Sequence, residues 1–225
     1  MLNCECLQSA AGLPLLFLHG FLGTSADWIP VVKGIKNRTC FAVDLPGHGK
    51  SPFTTQFEEE LTDLPRFHLI GYSMGGRLAL RFAHRYPERV ASLTLLSTHL
   101  GLPENERAAR LKTDQMWADK ILSLSIDDFL KQWYDQPVFN TLSFEQMKML
   151  RQRQNRQALA QSLLHYSLGL QPIFYPSHVK YLVGEHDHKY RELYQDLHPI
   201  VIPGASHAIH WERPELIAQN IEAQL

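Results

Sequence analysis

Residues 67–83 constrain this chain more than any other stretch. Phe67-His68-Leu69-Ile70 is an apolar run of strand length, and Gly71-Tyr72-Ser73-Met74-Gly75 follows at once. Leu78/Phe82 and Ala79/Ala83 then repeat at helical spacing. A strand that enters a helix through G-x-S-x-G demands a sharp turn at the serine. Glycines at 71 and 75 permit it, because they carry no Cβ to collide with the returning chain. The turn would hold Ser73 in a strained conformation and lift its hydroxyl above the carboxyl end of a sheet. The same pentad also arises by chance in glycine-rich loops. Its meaning therefore depends on what the rest of the chain brings to that edge.

Other apolar runs of strand length lie at 14–18, 39–43, 90–97, 179–183 and 199–202, with a short edge strand over 2–7. Helical segments separate them: 25–34, a turn or two over 58–63, and a closing helix opened by Pro214. This alternation predicts an α/β fold, a mostly parallel doubly wound sheet joined by right-handed crossovers. The pattern breaks near His99. Residues 101–170 hold no convincing buried strand, but Trp117/Ile121, Phe129/Trp133 and Met149/Arg153/Arg156 sit at helical spacings. They read as an inserted helical cap (101–170) on a core formed by 1–100 and 171–225.

Composition narrows the partners. A chain of 225 residues with 44% hydrophobic and 20% charged residues suits one globular core with a cap, and a net charge of −1 gives no general attraction for nucleic acid or an anionic membrane. Cys4, Cys6 and Cys40 cannot all pair and show no metal-ligand spacing. They are expected to be reduced thiols in a cytoplasmic protein without metal or cofactor. The run Leu13 to Leu18 is too short to cross a bilayer. Oligomeric state is not readable from this pattern.

Ligands of open α/β sheets bind outside the carboxyl ends of the strands. His19, Asp44, Ser73, Asp187 and His207 all follow apolar runs and are expected at one rim. A serine hydroxyl needs an imidazole to take its proton and a carboxylate to hold that imidazole. Ser73, Asp187 and His207 stand in the order Ser, Asp, His, which suits this topology. Glu185 and His210 are the competing acid and base. Asp187 is favoured because it lies farther out in its loop, and His207 because His210 falls in or near the next helix. Backbone N–H groups of Phe21 and Met74 would form an oxyanion hole, although Phe21 also suits an apolar wall.

Arginines narrow the chemistry further. Arg77 lies one helical turn after Ser73 and should share its face, whereas Arg81 and Arg85 read as a solvated stripe. From Gln146 through Gly184 there is no Asp or Glu, yet Lys148, Arg151, Arg153, Arg156 and Lys180 are present. This local excess suggests a small polyanionic substrate beneath the cap.

His-Gly-Phe-x-Gly at 19–23, Asp-Leu-Pro-Gly-His-Gly-x-Ser at 44–51, Gly-Tyr-Ser-Met-Gly-Gly-Arg at 71–77, Gly-Glu-x-Asp at 184–187 and Gly-Ala-x-His at 204–207 together resemble the α/β-hydrolase superfamily. With Glu-Arg-Ala-Ala-Arg at 106–110 and Gln-Trp-Tyr-Asp-Gln-Pro-Val-Phe at 132–139, they resemble the 2-succinyl-6-hydroxy-2,4-cyclohexadiene-1-carboxylate synthases of menaquinone biosynthesis. That resemblance implies elimination of pyruvate from a substrate with several carboxylates. Ser73, activated by His207 and Asp187, would then be a base. Arg77 and Arg110 would bind carboxylates, Tyr72 and Trp133 would shape the pocket, and Arg151 is a further candidate whose register is shared with Arg153 and Arg156. The alternative is a serine hydrolase of small esters or carbon–carbon bonds. One departure stands out: the 51–67 segment is shorter than such enzymes usually carry.

Overall fold

A computed structural model describes residues 1–139, 141–175 and 178–225. Seven strands, β1 (Cys4–Gln8), β2 (Leu15–Leu18), β3 (Cys40–Val43), β4 (Phe67–Tyr72), β5 (Val90–Leu96), β6 (Val179–Gly184) and β7 (Ile200–Ile202), form one sheet. Their order is β1-β3-β2-β4-β5-β6-β7. Only β1 runs antiparallel, against β3; the other pairings are parallel. Chain order reverses about β2 and β4, so the crevice at their carboxyl ends is the expected site position.

Side chains alternate across a strand, and here both faces are buried. Leu16, Leu18, Leu69, Leu93 and Leu95 face a core shared with Leu78 and Phe82 of the helix Met74–Arg85. Leu15, Phe17, Ile70, Leu96 and Leu182 face the opposite core, with Trp28, Val31, Ile217 and Ile221. This explains why the strands read as continuous apolar runs. The helix within the 51–67 segment is the short Phe57–Glu60. Its Glu58 and Glu59 pair with Arg81 and Arg85 at 2.9 and 2.7 Å, so that stripe is tied to the neighbouring helix.

Between β5 and β6 the described residues form helices and no strand: Glu104–Ser123, Ile126–Tyr134, Phe144–Arg151 and Arg156–His165. Ile121, Phe129, Leu130, Leu159 and Leu163 make a third core, which also takes in Leu22 from the loop after β2. The spacing Met149/Arg153/Arg156 does not mark one helix face. The helix ends at Arg151, and Asn155 caps a new one by accepting from the Ala158 N–H at 3.0 Å. Met149 is exposed.

Candidate active site

The turn after β4 is as tight as the pentad requires. Ser73 has φ +50° and ψ −109°, outside the conformations favoured by residues with a side chain. A Cβ on Gly75 would lie 2.3 Å from the His19 carbonyl oxygen, and one on Gly71 would lie 2.5 Å from the Gly76 Cα. The elbow is held in place by the Ser73 N–H, which donates to the Leu96 carbonyl at 3.0 Å.

Loops after β6 and β7 bring Asp187 and His207 to this serine. His207 Nδ1 lies 2.7 Å from Asp187 Oδ2, and His207 Nε2 lies 3.3 Å from Ser73 Oγ. An ionised carboxylate only accepts, so Nδ1 carries the proton and Nε2 is free to take one from the serine. Both partners are nearly buried, and the imidazole is flanked by the rings of Tyr190 at 4.7 Å and Tyr72 at 5.4 Å. The competing residues are occupied otherwise. Glu185 accepts from the Gly204 N–H at 2.8 Å and shapes the β7 loop. His210 stacks on Tyr72 at 4.1 Å and on Trp28 at 5.0 Å. Burial, reinforced by Arg151, His207 and His19, pushes its pKa well below the ordinary histidine value.

The loop after β2 carries a device that motif reading placed at the rim but did not interpret. The Leu45 N–H donates to His19 Nε2 at 2.9 Å, so the ring proton is on Nδ1, which donates to the Gly20 carbonyl at 2.7 Å. That carbonyl belongs to the peptide whose N–H is that of Phe21. Binding its oxygen on one side fixes the direction of the N–H on the other. Burial lowers the His19 pKa to about 4, so the ring is a neutral spacer at neutral pH. Among the described residues neither the Phe21 nor the Met74 N–H has a protein acceptor. Asp44 holds loops instead: it accepts from the N–H groups of Ser25 and Lys50 at 2.6 and 2.9 Å and from Asn3 Nδ2 at 2.8 Å.

Two cavities open on Ser73, with Phe21 and Trp133 between them. The rings of those two residues lie 4.9 Å apart. One lobe is lined by Arg77, Arg110, His99 and Tyr190. Arg77 is buried and donates from Nη1 to the Tyr166 carbonyl at 2.8 Å. No carboxylate lies within 4.0 Å of it among the described residues. Burial and the neighbouring Arg110 lower its pKa to about 10, which leaves it charged at neutral pH. Arg110 shares its charge with Asp114, whose Oδ1 lies 2.8 Å from Arg110 Nε and whose Oδ2 accepts from Ser167 Oγ at 2.6 Å.

The second lobe is lined by Tyr72, Tyr134, His210, Asp27 and Arg151. Its charges cancel. Arg151 meets Asp27 in a two-bonded pair at 2.8 and 2.7 Å, and both are buried. Burial alone would lower the Arg151 pKa, but the Asp27 carboxylate and the Tyr134 hydroxyl more than offset it and hold the group protonated.

The basic residues of 146–184 are held by different partners. Lys148 pairs with Asp127 at 2.7 Å, and Arg156 donates to the carbonyls of Ile121 and Leu122 at 2.6 and 2.7 Å and to that of Leu124. Lys180 donates to the Asn220 carbonyl at 2.7 Å, and Arg153 is exposed. Of Arg151, Arg153 and Arg156, Arg151 lines the cavity. Among the described residues no cluster of three His, Cys, Asp or Glu is placed to hold a metal ion, and no helix is long and apolar enough to cross a membrane.

A strained serine after a central parallel strand, a Ser–His–Asp relay at the carboxyl rim and a helical cap define an enzyme of the α/β-hydrolase fold. Residues 14–186 match the profile described as "alpha/beta hydrolase fold". The chain is 35% identical to 2-succinyl-6-hydroxy-2,4-cyclohexadiene-1-carboxylate synthase of Escherichia coli O157:H7 (strain EC4115 / EHEC), over 95% of this chain and 94% of that one. It is 34% identical to the synthase of the same name from Enterobacter sp. (strain 638), over 97% and 94%. MenH from S. aureus superposes with a TM-score of 0.86 at 25% identity, covering 100% of this chain and 97% of that one. The chain belongs to the 2-succinyl-6-hydroxy-2,4-cyclohexadiene-1-carboxylate synthase family.

Proposed function

We propose that this enzyme eliminates pyruvate from 2-succinyl-5-enolpyruvyl-6-hydroxy-3-cyclohexene-1-carboxylate to give 2-succinyl-6-hydroxy-2,4-cyclohexadiene-1-carboxylate, with Ser73 as the base. The two formulae dictate the proton to be moved. A 3-ene with a leaving group on C5 becomes a 2,4-diene when C2 loses hydrogen and C5 loses the enolpyruvyl oxygen. C2 lies beside the succinyl ketone, so its proton is the acidic one. Ser73 Oγ takes that proton while His207 Nε2 takes the serine proton. Negative charge builds on the ketone oxygen, where the N–H groups of Phe21 and Met74 can receive it. The electrons then form the 2,3 and 4,5 double bonds and break the C5–O bond. Enolpyruvate leaves, the His207 proton is returned to it, and its enol form becomes pyruvate. Water is neither consumed nor released. Asp187 stabilises the imidazolium that forms between the two steps.

The observation that carries this reading is Arg77, a buried cation with no carboxylate partner among the described residues, in a lobe that opens on Ser73. A hydrolase of neutral esters has no use for such a group, whereas a substrate bearing three carboxylates does. The names of the relatives support the same reaction. The test is a coupled assay for pyruvate with wild type and Ser73→Ala. Wild type is expected to release one pyruvate per substrate, and Ser73→Ala to lose roughly 10³-fold or more in kcat. A folded wild type that releases no pyruvate, or a covalent acyl-serine trapped during turnover, would overturn the elimination and leave a serine hydrolase.

A further inference from the structure

We infer that His99 is a third substrate-binding donor of the arginine lobe, giving its Nε2–H to a carboxylate held between Arg77 and Arg110. The inference rests on the reading of this site as one for a polycarboxylate, and extends it to a residue outside every motif of the chain. His99 lies in the turn after β5, where the sheet hands over to the cap, and lines the same cavity as Ser73, Arg77, Arg110 and Tyr190. Its ring stands edge-on to Tyr190 at 6.4 Å, and Tyr190 in turn packs 4.7 Å from His207. His99 is thus connected to the relay through one aromatic ring.

The backbone sets the tautomer. The Gly101 N–H donates to His99 Nδ1 at 3.3 Å, so in the neutral ring the proton must sit on Nε2. No protein partner for that Nε2 is found among the described residues. The charged groups that act most strongly on this ring are cations: Lys189 from the helix His188–Leu193, Arg77 from the elbow helix and Arg110 from the first cap helix. Burial and these three cations lower the His99 pKa to about 4. At neutral pH it is therefore an uncharged donor that adds reach to two guanidinium groups without adding repulsion.

Two near-isosteric substitutions separate the ligand role from a structural one. An asparagine oxygen can take the place of Nδ1, so His99→Asn keeps the Gly101 bond and removes the donor. A glutamine nitrogen can take the place of Nε2, so His99→Gln keeps the donor and gives up the Gly101 bond. With wild type releasing pyruvate, His99→Asn is expected to raise KM about tenfold to a hundredfold at nearly unchanged kcat, and His99→Gln to stay within about threefold of wild type. Wild-type KM in His99→Asn, or a greater loss in His99→Gln than in His99→Asn, overturns the inference while the elimination stands.

Titration with succinate, as a plain dicarboxylate probe, reads the lobe without turnover. Wild type is expected to bind it about tenfold more tightly than His99→Asn. Equal affinities overturn the inference whether or not wild type turns over, whereas absence of pyruvate alone counts against the elimination.

Discussion

The two lobes beside Ser73 each contain a buried arginine, yet those arginines are in opposite electrostatic situations. Arg151 is neutralised by Asp27, 124 residues away in the chain, and with Tyr134, Tyr72 and His210 it lines a pocket of no net charge. Arg77 has one carbonyl partner and a second cation nearby. A buried charge without a counterion is costly, and binding an anionic ligand relieves that cost. The difference teaches that two buried cations beside one serine can stand in opposite electrostatic situations. The compensated one ties the helix Phe144–Arg151 to the segment Ser25–Trp28, and on the proposed elimination the uncompensated one receives a carboxylate.

The comparison breaks most visibly at Arg151. Arg151→Ala leaves Asp27 buried and unpaired, which costs about 3–5 kcal/mol, or roughly 10 °C in Tm. Replacing both members by apolar residues, Asp27→Leu with Arg151→Met, is expected to restore most of that stability. Thermal denaturation of the two variants beside wild type checks it. An Arg151→Ala protein with wild-type Tm and a raised KM would mean that this pair opens for substrate and that both lobes bind anions.

Arg77→Met should do the reverse. Removing an unpaired buried charge is expected to change Tm by no more than a few degrees, because the guanidinium contributes one bond to a carbonyl and carries a desolvation cost. The kcat/KM for pyruvate release should fall by about 2–4 kcal/mol, a factor of roughly 30–1000. Arg110→Ala should lose less, since Arg110 is one-third exposed and already shares its charge with Asp114. Unchanged kcat/KM in Arg77→Met would remove the distinction between the lobes.

How much of this was legible in the chain depended on whether the cause was local. The elbow, the relay and the strand ends each carry a short signature: glycines where a Cβ cannot fit, small residues before His207, apolar runs for strands covered on both faces. Arg77 was legible too, because one helical turn fixes its face relative to Ser73. The partners of the basic run were not legible, for the opposite reason. Asp27 and Asp127, which pair with Arg151 and Lys148, lie outside 146–184, so counting charges within that window shows neither pair. His19 and His99 were legible only as positions. What they do depends on which ring nitrogen a distant or irregular backbone N–H occupies, and no spacing rule encodes that. The helix expected through Met149 and Arg156 failed on a local signal that was present: Asn155 is a strong capping residue, and it restarts the helix.

His210 offers the smallest effect and the finest test of the neutral lobe. Both its ring nitrogens are buried without partners among the described residues, although the ring is well stacked. His210→Phe keeps the stacking and removes two unsatisfied polar atoms, so at pH 7.5 it should leave stability unchanged or raise it by about 1 kcal/mol. The sign of its pH dependence follows from the depressed pKa. Below about pH 6.5 an unfolded histidine takes up a proton that the folded one refuses, so wild type loses stability as pH falls. Phenylalanine has no such proton to take up. The advantage of His210→Phe over wild type should therefore grow below pH 6.5, by up to about 1.4 kcal/mol per pH unit. Urea unfolding at pH 7.5 and pH 5.5 measures it. A gap that stays constant would mean that folded His210 takes up its proton as readily as the unfolded one, and the lobe beside Arg151 would then gain a positive charge below about pH 6.5.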